Sequence, residues 1–99
     1  MEAKQCHSLD EVRSEIDILD SQIVELIAKR NTYIHQAAKF KVSVDEVKAE
    51  DRVADVLSRA RAKAMELDVN PSMMSEIFEL MINKMVEAEI AEFQDAKNL

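Results

Sequence analysis

The 99-residue chain contains no glycine and no tryptophan, a single proline, Pro71, and a single cysteine, Cys6. Lacking glycine, it cannot carry a glycine-rich phosphate loop, and it shows neither zinc-ligand spacing nor a serine-triad signature. One cysteine excludes an intrachain disulfide. Its place beside a start expected to be disordered, residues 1–7, points to neither a metal ligand nor a nucleophile. No run reaches the roughly 18 apolar residues of a membrane span. The opening MEAKQCHS lacks the basic and then apolar run of a signal peptide, so a cytoplasmic protein is expected. Positive charge is in deficit: 13 Lys and Arg against 20 Asp and Glu leave a net charge of -7. That balance argues against nonspecific attraction to nucleic acid or to an anionic membrane. It also means that an anionic ligand needs a local positive pocket. Nothing in the residue types calls for a metal or a cofactor.

What remains is material for helices. Ala, Glu, Lys, Leu, Ile and Val are abundant and aromatics make up only 4%, a composition that favours helix nearly everywhere and predicts an all-α fold. The length fits one domain, residues 1–99, able to bury only about two-thirds of its unfolded surface. Ser8 followed by Glu11 forms a capping box, and apolar residues then recur at helical spacing without a breaker, predicting a first helix from about Leu9 to Phe40. The segment KVSVDEVKA, residues 41–49, breaks that rhythm and reads as a loop suited to an active-site lid, in which Ser43 and Glu46 can cap a short turn. Val53, Val56, Leu57, Ala60, Ala64 and Leu67 form the stripe of a second, shorter helix ending near Asp68. Asn70 then caps a third, of medium length, with Pro71 at its favoured first position, running to about Ala96.

The first helix is too long for a compact monomer. About 32 residues at 1.5 Å each span roughly 48 Å, whereas a compact chain of this size has a radius of gyration near 13 Å. The part that projects still carries apolar residues. A second copy packed antiparallel about a two-fold axis covers them most simply, so an intertwined, obligate homodimer is expected.

Two charged residues interrupt otherwise apolar stripes. Leu9, Val12, Ile16, Leu19, Ile23, Leu26, Arg30, Tyr33, Ala37 and Phe40 follow an alternating three-four spacing, with Arg30 the exception. A guanidinium cannot lose its proton, so it either finds an anionic partner or snorkels to solvent. In the third helix Phe78, Ile82, Met85, Glu89 and Phe93 repeat the pattern, with Glu89 as the intruder. Glu89 reads either as structural glue paired with Arg30 or Lys41, or as part of a site. Lys41 lies eleven residues beyond Arg30, within about 20° of the same face if the helix persists, and roughly 16 Å further along. Arg13 lies seventeen residues before Arg30, about 25 Å away, so the two cannot share a small ligand within one chain. In an antiparallel pair, Arg13 of one copy falls opposite Arg30 of the other, giving two cationic sites built from both subunits. The six methionines fit core or terminal positions, His7 lies near a frayed end and His35 reads as solvated.

LDEVRSEID at 9–17 and LIAKRNTYIHQAAKFK at 26–41 resemble the first-helix signature of the chorismate mutase type II family, over roughly residues 9–95. The resemblance implies a cofactor-free pericyclic enzyme acting on a small dianion such as chorismate. Arg13, Arg30 and Lys41 match the cations that hold the two substrate carboxylates, the first supplied by the partner subunit. Glu89 falls where members carry a Gln or a Glu that donates a hydrogen bond to the substrate's ether oxygen, a role that requires a proton on it. Asp51 can contact a ring hydroxyl, but Glu50 stands where typical bacterial mutases place an Arg, adding the wrong charge for a carboxylate. The loop between Lys41 and Arg52 and the motif AAKFK look closer to the isochorismate pyruvate lyase branch used in salicylate synthesis, while Glu89 pulls back toward a mutase. Three readings stand at this point: chorismate mutase, isochorismate pyruvate lyase, and a non-catalytic helical dimer that binds a small dianion or a partner protein.

Overall fold

A computed structural model describes residues 2–97. It is all-α, with helices α1 (Leu9–Ala38), α2 (Val44–Lys48), α3 (Glu50–Glu66) and α4 (Pro71–Lys97). The three principal helices α1, α3 and α4 are those read from the sequence, and α2 is a single turn inside the segment 41–49. Among the described residues, no helix is long and apolar enough to cross a membrane. The chain divides into two compact units, Met1–Tyr33 and Ile34–Leu99.

The first unit is the leading segment and most of α1. Ser8 Oγ accepts from Glu11 N–H at 3.1 Å, while Glu11 Oε2 accepts from His7 N–H at 3.2 Å, a capping box displaced by one residue on the returning side. Lys4 extends back along the helix and pairs with Glu15 at 2.9 Å and Glu11 at 3.5 Å. These carboxylates, Glu15 first, raise the pKa of the Lys4 ammonium. No residue of α1 is buried. Val12, Ile16, Leu19 and Ile23 all stay exposed, and Leu26 is 67% exposed.

The second unit contains the end of α1 and the packed core. α1 stops at Ala38, two residues earlier than its periodicity predicts. There the backbone tightens into i to i+3 bonds: Lys39, Phe40 and Lys41 N–H reach the carbonyls of Gln36, Ala37 and Ala38 at 3.2, 3.0 and 3.3 Å. Phe40, in that turn, points outward at 85% exposure. Ser43 Oγ caps α2 by accepting from Glu46 N–H, and Val47 is buried at 2% exposure, fastening α2 to α4. Along α3 the predicted stripe turns inward from Val53 to Ala64, with Ala60 and Ala64 buried. Small side chains there let α3 lie close against α4, the two helices being joined beside them by Arg61 Nη1 donating to Ser75 Oγ at 2.9 Å. Asn70 Oδ1 accepts from Ser72 and Met73 N–H at 2.9 and 3.2 Å, the cap predicted for α4.

The absence of glycine has a local cost. Two residues occupy the left-handed region that glycine normally fills: Ala49 at φ 43 and Asp68 at φ 58. Ala49 ends α2, donating its N–H to Asp45 O at 3.0 Å, and starts α3. Asp68 closes α3 in a Schellman arrangement, with Val69 N–H on Ala64 O at 2.8 Å and Asp68 N–H on Met65 O at 3.4 Å. A Cβ in this region costs roughly 1–2 kcal/mol. Part of that is offset because glycine loses more entropy on folding. Ala49→Gly and Asp68→Gly are each expected to stabilise the protein by about 1 kcal/mol in urea unfolding at fixed protein concentration. A loss of stability in either variant would mean that the side chain contributes more than its backbone conformation costs.

Candidate active site

Glu89 projects from the buried face of α4, and it is the charged residue that is buried among the described residues. Its carboxylate meets Lys41, whose Nζ donates to Oε2 at 2.9 Å. The Glu89 side chain is 3% exposed and that of Lys41 21%, so the pair lies at the edge of the interior. An isolated carboxylate at this depth costs several kcal/mol, an expense that the ammonium offsets. Among the described residues no buried side-chain nitrogen or oxygen is left without a partner.

The local fold explains why these residues meet across 48 positions of sequence. Lys41 follows the tightened end of α1, and the chain beyond it is turned back by the Ser43 cap and held by buried Val47. The loop is therefore anchored on α4 rather than free of it. A lysine ammonium carries three N–H donors, and Glu89 takes one. The others can receive a carboxylate arriving from solvent. The site thus offers one cation with donors to spare beside an acid that can accept or, once protonated, donate.

The remaining predicted residues are distributed as follows. Arg30 is half-buried on α1 and is engaged with a neighbour. Arg13 is exposed on the same helix, about 25 Å along the axis from Arg30. Within one chain these two cations do not converge. Asp51 is exposed in the first turn of α3, where it lines a shallow cleft with Asp45, Lys48, Glu50 and Arg52. Glu50 also borders a second cleft whose floor is Val53, Ile82 and Val86. One polar contact has no signal in the sequence: His35, exposed as its position predicts, lies with its Nδ1 2.6 Å from Glu92 Oε2. No spacing rule links residues 57 positions apart.

Comparison with known proteins bears on what such a site is for. The chain is 28% identical over 87 residues to the isochorismate pyruvate lyase of Pseudomonas aeruginosa, a match covering 88% of this chain and 86% of that protein. It is 29% identical over 93 residues to the chorismate mutase of Methanocaldococcus jannaschii, covering 91% and 94%. The profile of chorismate mutase type II matches residues 12–90, a span that includes Arg13, Arg30, Lys41, Asp51 and Glu89. On that match, together with its all-helical fold, the chain belongs to the chorismate mutase type II family.

Proposed function

We propose that this enzyme rearranges chorismate to prephenate in a cationic site that a second copy of the chain completes. The observation that carries the reading is the pairing of Lys41 with buried Glu89: a charged pair adds little to stability compared with apolar packing, but it places a cation and a potential proton donor side by side. In the rearrangement the ether C–O bond breaks as a C–C bond forms, within one ring of six electrons and with no covalent intermediate. Negative charge grows on the ether oxygen. Lys41, and Glu89 carrying a proton, stabilise that charge as donors already in place. Arg30, and Arg13 of the second copy, hold the two carboxylates and keep the flexible dianion in its reactive shape. Asp51 contacts a ring hydroxyl. A proton on Glu89 also removes the repulsion that its carboxylate would exert on an arriving dianion.

The exposed apolar face of α1 supports the homodimer. Val12, Ile16, Leu19, Ile23 and Leu26 share one face and none is buried in the single chain, a surface that an antiparallel copy covers. In that dimer residues 1–99 act as one domain, with 41–49 as the active-site loop. The cytoplasm is the compartment proposed, where a soluble dianion is met directly. A second reading rests on the likeness to the Pseudomonas aeruginosa lyase: the same cations act on isochorismate to give salicylate and pyruvate.

Purified protein assayed with each substrate separates the two. Prephenate from chorismate establishes the mutase, salicylate with pyruvate from isochorismate establishes the lyase, and no product from either overturns both. Arg30→Ala is expected to lower turnover by about 100-fold or more while circular dichroism remains that of the wild type. Arg13→Ala should behave likewise. Dimers formed from a one-to-one mixture of the two variants regain one intact site in each mixed dimer, about a quarter of wild-type activity for random pairing. No recovery would exclude a site shared between subunits. Glu89→Gln, whose amide N–H is a donor in its own right, is expected to retain turnover, whereas Glu89→Ala should lose about 100-fold; equal activity in the two variants would remove Glu89 from the donor role.

A further inference from the structure

A second link runs beside the Lys41–Glu89 pair. His35 Nδ1 donates to Glu92 Oε2 at 2.6 Å, the ring nitrogen carrying the hydrogen because a carboxylate oxygen accepts. His35 belongs to the last turn of α1, and Glu92 follows Glu89 by three residues on α4, just under one turn, or roughly 4.5 Å along the axis. Lys41 comes six residues after His35. The chain between them is not slack, because successive i to i+3 bonds at Lys39, Phe40 and Lys41 make it one tight turn. Two rungs therefore join the same two segments: His35 to Glu92 and Lys41 to Glu89.

The turn has little else to hold it. From His35 to Glu46 no side chain is buried, and Phe40 faces solvent. The next buried anchor is Val47. Fastening this stretch at both ends, at His35 and at Val47, restricts where the Lys41 ammonium can lie. We propose that His35 is a positioning residue for the reaction: through Glu92 it holds the end of α1 on α4 and so sets the place of Lys41. The inference rests on the reading of Lys41 and Glu89 as active groups. Half-exposed pairs such as this one contribute little to global stability. Alignment is more sensitive, since a displacement of about 1 Å at a reacting group costs on the order of 100-fold in rate.

The test uses His35→Ala, Glu92→Ala, the double variant and His35→Gln, whose amide N–H can replace the imidazole donor. Two readouts are taken on the dimeric protein. In the first, kcat/KM falls about tenfold in each alanine variant, falls no further in the double variant, and recovers in His35→Gln. In the second, amine acylation followed by mass spectrometry shows Lys41 labelling several-fold faster in both alanine variants, with Lys48 and Lys84 unchanged as internal standards. Labelling does not depend on turnover. Faster labelling of Lys41 in a protein that converts neither substrate would therefore keep the positioning contact and remove the functional reading. Wild-type labelling and wild-type kcat/KM in His35→Ala, or additive losses in the double variant, would overturn the proposal. Should His35→Ala not fold, Glu92→Ala tests the same bond from the other helix.

Discussion

Glu89 lies on the inward face of α4, and its charge has to be met where water does not reach it. Much of the second unit follows from that requirement. Lys41 can approach only if α1 ends before it, and α1 does end, at Ala38, in a run of tight backbone bonds. The chain must then return toward α4, which it does through the Ser43 cap and the buried Val47 of α2. A leucine at position 89 would satisfy packing with none of this machinery, since a buried ion pair is seldom more stable than the apolar residues that could replace it. The pair is thus a weak source of stability, which is what favours the proposed role for it in the reaction.

The same chain is short of interior. Among the described residues the buried apolar ones are Val47, Ala60, Ala64 and Ile82, while the longest helix buries none of its side chains. Uncovered aliphatic surface on α1 and a need for more cations than one chain can bring together share a solution in the proposed dimer. In that proposal a second copy would cover the first and supply the second, because Arg13 and Arg30, separated along one helix, would fall opposite each other across two antiparallel ones. In such a dimer folding, association and substrate binding would depend on one contact, and stability would be a function of protein concentration.

Different features were legible in the sequence to different degrees. The capping box at Ser8, the Asn70–Pro71 start of α4 and the α3 stripe through Ala60 and Ala64 all appear in the structure, because capping and amphipathic spacing act within about four residues. Arg30 and Glu89 were conspicuous as charges on apolar stripes for the same reason. The end of α1 was placed two residues late, since Lys39 and Phe40 still satisfy the periodicity while the backbone has already tightened. Ala49 and Asp68 gave no sign of positive φ, as neither is the glycine that usually marks it. His35 offered nothing at all, its partner being far away in sequence.

What the sequence by itself determined is the helical class, the near-positions of the three principal helices, the family and the short roll of charged residues that do not belong on apolar faces. These depend on local propensity, periodicity and composition, which are written in consecutive residues. Only the tertiary structure decided that Lys41 meets Glu89, that the capped turn in the loop before α3 is fastened to α4, and that His35 joins Glu92. Those outcomes depend on which side chains the packing of α2, α3 and the end of α1 against α4 brings within about 3 Å, and a hydrogen bond forms only at that range.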